Sequence, residues 1–103
     1  MSQQMIQAKE TVEKIIAHVE AGSQPSKEKL LEQLKDIDKL IAQNQSKIWL
    51  RTRSGKPMAE KMEKVAVSAL KQVEADSLEN IDDLLEVAKG IDEESQRRSM
   101  VVT

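Results

Sequence analysis

The sequence has no cysteine, no phenylalanine and no tyrosine, and Trp49 is its single large aromatic side chain. Without cysteine there is no disulfide, no thiolate nucleophile and no sulfur ligand for a metal. Without aromatics, strands lose the residues that suit them best, while the abundant Glu, Lys, Gln, Leu and Ala favour helix. Three glycines and two prolines leave little to punctuate 103 residues. They also rule out a glycine-rich phosphate loop: Ser54-Gly55-Lys56 has the end of one, but no upstream glycine and no preceding strand. Long apolar runs are missing too. Stretches such as Ile48-Trp49-Leu50 fall far short of the ~20 residues of a membrane span. Met1 is followed by polar Ser2-Gln3-Gln4 rather than a basic-then-apolar leader, so the expectation is a cytoplasmic protein with no membrane association.

What is present fits amphipathic helices. Hydrophobic residues make up 39% and charged residues 33%, as expected if each helix carries one apolar and one solvated face. Met5, Ala8, Val12, Ile15 and Val19 step by three and four, which predicts a helix from about Ser2, its N-cap, to Ala21. Gly22-Ser23-Gln24-Pro25 ends it. Leu30, Leu34, Ile37, Ile41, Asn44 and Ile48 give a second helix from Pro25 or Ser26 to about Leu50, with Leu31 and Leu40 widening the stripe. Arg51 to Pro57 reads as a loop, with Pro57 in the first turn of the next helix.

Met58, Met62, Val65, Ala69 and Val73 mark a third seam, with Ala66 and Leu70 alongside. The phase then shifts to Leu78, Ile81, Leu85 and Ala88, flanked by Leu84 and Ile91. Asp76 with Glu79 reads as a capping box starting a fourth helix; one long helix with a stutter is the alternative. The predicted fold is therefore all-α, a small antiparallel up-down bundle of three or four helices. One domain covers residues 1–91, followed by a frayed polar tail over 92–103 beyond Gly90.

Little in the sequence is equipped for catalysis. His18 is the only histidine, and its i±4 neighbours, Lys14 and Gly22, cannot complete a metal site. The stretch His18-Val19-Glu20-Ala21-Gly22 resembles histidine phosphotransfer domains, which follow their histidine with Lys at the third position and Gly at the fourth. The glycine matches; Ala21 stands where lysine is required. That resemblance would imply phosphoryl uptake at His18. The acidic pairs Glu79 with Asp83 and Asp82 with Glu86 read as one solvated face of the fourth helix. No cofactor, no metal site and no enzymatic role are expected.

Charge is the informative feature. The formal net charge is −2, yet Lys47, Arg51, Arg53, Lys56, Lys61 and Lys64 cluster in one stretch, and nine acids between Glu74 and Glu94 face only Lys89. Trp49 lies inside the basic stretch, in the sequence Trp-Leu-Arg, so the Trp-x-Gly motif of secreted helical hairpins is absent. As the largest side chain, Trp49 is expected to plug the end of the core between Ile48 and Leu50; the alternative is partial exposure, where tryptophan flanked by arginine is a typical composition for a protein-binding hot spot. The candidate contact residues are Ile48, Trp49, Leu50, Arg51, Arg53 and Lys56. The functional expectation is a non-enzymatic protein–protein interaction module, a small regulator, adaptor or assembly factor with a protein partner. The runner-up is a nucleic-acid accessory protein using residues 47–64, and the third reading is phosphotransfer through His18. An up-down bundle would also bring Asp92, Glu93 and Glu94 near Arg51, Arg53 and Lys56, neutralising them. Wide apolar stripes point to a homodimer in which basic loop meets acidic helix.

Overall fold

The computed structural model describes residues 2–23, 25–78 and 81–101, with only the backbone described for 99–101. Four α-helices are present among them: α1 (Gln3–Ala21), α2 (Lys27–Asn44), α3 (Lys56–Glu74) and α4 (Asp82–Val101), with a short 3-10 turn at Ile48–Arg51 between α2 and α3. The described residues contain no strand. The chain is an all-α bundle in which α1 and α4 each pack against both α2 and α3. No helix among the described residues is long and apolar enough to cross a membrane.

α1 follows its seam. Met5, Ala8, Val12, Ile15 and Val19 are all buried, and Ser2 caps the helix by accepting the Met5 N–H at 3.3 Å. The Ser2 N–H donates to the Gln45 carbonyl at 3.0 Å, tying the start of α1 to the end of α2, so these two helices are antiparallel. Lys9 of α1 reaches Asp38 of α2 at 3.4 Å in the same register. Gln4 shares a shallow groove with Glu60, Lys64 and Lys71, so the start of α1 lies level with the middle of α3. Asn44, the last residue of α2, meets Asp92 at the middle of α4. The two hairpins are thus offset along the bundle axis, which extends 48 Å where one 20-residue helix spans ~30 Å.

α2 ends at Asn44, six residues before the expected end at Leu50. No Gly or Pro marks that point; the end is fixed by partners distant in sequence, Ser2 on the Gln45 carbonyl and Asp92 on Asn44. In α3 the buried face is Ala59, Met62, Ala66, Ala69 and Val73, so Met58 and Val65 sit at its edge instead of in the seam. In the α4 region Leu84 is buried and Leu85 only partly so. The long-helix alternative is excluded. α3 closes in a Schellman turn: Ser77 N–H donates to the Gln72 carbonyl at 2.8 Å and Asp76 N–H to the Val73 carbonyl at 3.1 Å. Asp76 takes the left-handed position, φ 53°, and ends α3 rather than capping α4. α4 begins at Asp82, where two aspartates in the first turn suit the positive end of the helix dipole. Glu79, the other half of the expected capping box, lies outside the described residues. Finally, α4 runs through Gly90 to Val101, so residues 92–101 are helical where a frayed tail was expected.

Candidate functional site

The end of the bundle that carries Trp49 is assembled from three pieces: the 3-10 turn, the loop Thr52–Gly55 and the last turns of α4. The buried seam of α4 steps from Leu84 to Ala88 to Ile91, and the same alternation of four and three carries it on to Ser95 and Arg98. The helix therefore keeps one face toward the body of the molecule, but that face changes from apolar to polar. With Asp92 beside it, it meets the α2–α3 connection at three levels. Asn44 Nδ2 donates to Asp92 Oδ1 at 3.1 Å, Trp49 Nε1 to Ser95 Oγ at 2.7 Å, and Arg98 Nη2 to Ser54 Oγ at 3.2 Å. Asn44 and Ser95 are buried, and each has its hydrogen bond, as burial of polar groups demands.

Trp49 is locked from several sides. Its indole N–H is held by Ser95, and the Arg98 guanidinium lies 4.7 Å over the ring centroid, within cation–π range. Arg98 is itself oriented by Glu94, through Nε to Oε1 at 3.0 Å; Glu94 also pairs with Arg97. The Trp49 carbonyl accepts the Thr52 hydroxyl at 2.6 Å and the Thr52 N–H at 3.1 Å. Gly55 is buried against the tryptophan. A Cβ there would sit 1.9 Å from the Trp49 carbonyl oxygen and 2.6 Å from ring atom Cε3, so only glycine fits.

This frame sorts the six sequence-predicted contact residues. Leu50 is fully buried, so it belongs to the core. Trp49 is half-buried, with its N–H satisfied and Arg98 over its ring. Ile48 goes the other way: it is 75% exposed, although its spacing had placed it in the α2 seam. The extended backbone at Lys47 (φ −68°, ψ 128°) breaks the helical phase, turning Leu50 inward and Ile48 outward. Arg51, Arg53 and Lys56 are exposed, as is Lys47, so the connection that carries the exposed isoleucine also carries four exposed cations. The expected approach of α4 to the loop is seen in the Arg98–Ser54 bond, but it is not made through ion pairs to the loop cations. Among the described residues, Glu94 pairs with Arg97 and Arg98 and Asp92 binds Asn44 and Gln96, while no ion pair links them to Arg51, Arg53 or Lys56.

A second feature lies along the α3–α4 side. A groove of about 800 Å³ has Met58, Val65, Leu85 and Val87 along its apolar surface, with Gly90 beside them. Three of these are residues that the sequence had assigned to the core seams. Acidic Asp82, Asp83, Glu86 and Glu93 outnumber Lys61 and Lys89 around it. Gly90 lies within α4, and a Cβ built on it meets nothing within 4 Å.

His18 is exposed in the last turn of α1. Among the described residues, no group of three or more potential metal ligands converges. Sequence reasoning missed Ser95 and Arg98 because polar residues beyond a glycine look like solvated helix end. Their continuation of the 84-88-91 spacing was the available signal. Comparison with protein families, curated proteins and solved structures finds no match to this chain.

Proposed function

We propose that this protein is a non-enzymatic interaction module that docks on a protein partner through the end presenting Ile48. The observation that carries this reading is the 75% exposure of Ile48 on a turn whose next two residues are fixed, Trp49 by Ser95 and Arg98 and Leu50 by burial. An exposed aliphatic side chain on a pre-organised turn loses little entropy on binding, and flanking Lys47, Arg51, Arg53 and Lys56 steer it toward an acidic surface. The nucleic-acid reading has less support. It requires an indole face free for base stacking, whereas Arg98 lies over one face of Trp49 and the ring is partly buried against the core beside Gly55.

The test is affinity capture from source cells with wild-type and Ile48→Asp baits, followed by reconstitution with the purified partner. A protein retained by the wild type, lost with Ile48→Asp and bound directly in purified form supports the reading. Equal recovery by both baits contradicts it. Salt-sensitive binding of a single-stranded oligonucleotide, unchanged by Ile48→Asp, would move the assignment to nucleic acid.

A further inference from the structure

We infer that a second copy of this chain occupies the α3–α4 groove, with the Ile48 turn of each copy seated over Gly90 of the other. The inference rests on the reading of Ile48 as a docking residue and adds the identity of one partner. Its independent support is Gly90. Glycine in a helix interior is less favourable than alanine, because it has more backbone freedom to lose on folding. Gly55, the N-cap of α3, has a visible reason within its own chain, since a Cβ there would strike Trp49. At Gly90 nothing in the same chain approaches within 4 Å of where a Cβ would be. The bare backbone opens on the groove, where Met58, Val65 and Leu85 leave apolar surface only partly covered. A glycine there admits an incoming side chain close to the helix.

The charges match the same occupant. Acidic Asp83, Glu86 and Glu93 outnumber Lys61 and Lys89 along the groove, and Arg51, Arg53 and Lys56 are exposed on the same connection as Ile48. Both features belong to one chain, so the proposed dimer is reciprocal about a two-fold axis, turn into groove and groove onto turn. Such reciprocal closure is the commonest form of homo-oligomer and leaves no free copy of either surface.

Sedimentation of wild type, Ile48→Asp (a disabled knob) and Gly90→Leu (a filled groove) tests this across a concentration and salt series. Leucine is a better helix former than glycine, so Gly90→Leu retains the fold, which circular dichroism verifies. Wild type is expected to dimerise at high micromolar concentration in low salt and to dissociate at least tenfold more readily in high salt. Each variant alone is expected to be monomeric. Mixed in equal amounts, they share one intact contact and one broken one, so association weaker than wild type but above that of either variant alone is expected. A wild-type monomer at high micromolar concentration in low salt overturns the inference; if it still captures another protein through Ile48, the interaction reading survives. A dimer unaffected by Gly90→Leu or by Ile48→Asp also overturns it.

Discussion

The two ends of α4 hold to the same bundle by different chemistry. Along its first half, Leu84, Ala88 and Ile91 enter an apolar core shared with Leu34, Ile37 and Met62. Such contacts are non-directional, and each fully buried aliphatic side chain contributes about 1.5–3 kcal/mol. Along its second half, Asp92, Ser95 and Arg98 make directed hydrogen bonds to Asn44, Trp49 and Ser54. Bonds of that kind contribute only about 0.5–1.5 kcal/mol net, but they specify position. The first half accounts for most of the stability. The second sets the path of the connection after Asn44, and that path points Ile48 into solvent.

This contrast yields tests of decreasing size. Ile37→Ala, in the apolar region, is expected to cost about 2–5 kcal/mol in urea unfolding, the range for a buried large-to-small substitution. A loss below 1 kcal/mol would erase the distinction between the two regions. Gly55→Ala, in the polar region, forces a methyl group into the Trp49 carbonyl and ring. Its expected cost is about 1–3 kcal/mol, as for overpacking, together with a red shift of Trp49 emission. Trp49 is the only tryptophan and there is no tyrosine, so that signal has a single source. Unchanged emission in Gly55→Ala would show that the turn is not wedged against the loop.

The smallest effect concerns pH. Lys9 is held above the ordinary lysine value of 10.5, first by its hydrogen bond to Glu13 and then by the Asp38 charge. A group whose pKa is raised on folding stabilises fully below its unfolded pKa and loses that contribution as pH rises through the folded value. The melting temperature of wild type should therefore fall slightly more than that of Lys9→Gln as the pH rises above 10.5. Parallel curves would mean that the surface pair contributes nothing, as many exposed pairs do.

The apolar region was the readable part of the sequence. α1 and most of α2 follow their three- and four-residue spacing residue by residue, because one face is apolar and the others are charged. In α3 and α4 the stripes are wide enough to allow a rotation of the helix. Ala59 and Leu84 displaced Met58 and Leu85 from the core, and the displaced side chains came to line the groove. The polar region was hidden for a physical reason. A serine bound to an indole and an arginine stacked over it have the same composition as a solvated helix end, and what distinguishes them is a partner more than forty residues away. Ile48 was misplaced by the same cause, since the end of α2 depends on Ser2 and Asp92 rather than on a local stop signal.

The last turns of α4 hold Trp49 and thereby fix the turn that exposes Ile48. The most direct test of this arrangement is the acrylamide quenching of Trp49 fluorescence in a Ser95→Ala/Arg98→Ala double variant, under conditions where circular dichroism shows the helices intact. Loss of the Ser95 hydrogen bond and the overlying guanidinium is expected to shift the emission to the red and raise the quenching constant well above that of wild type. Identical emission and identical quenching in the two proteins would contradict it.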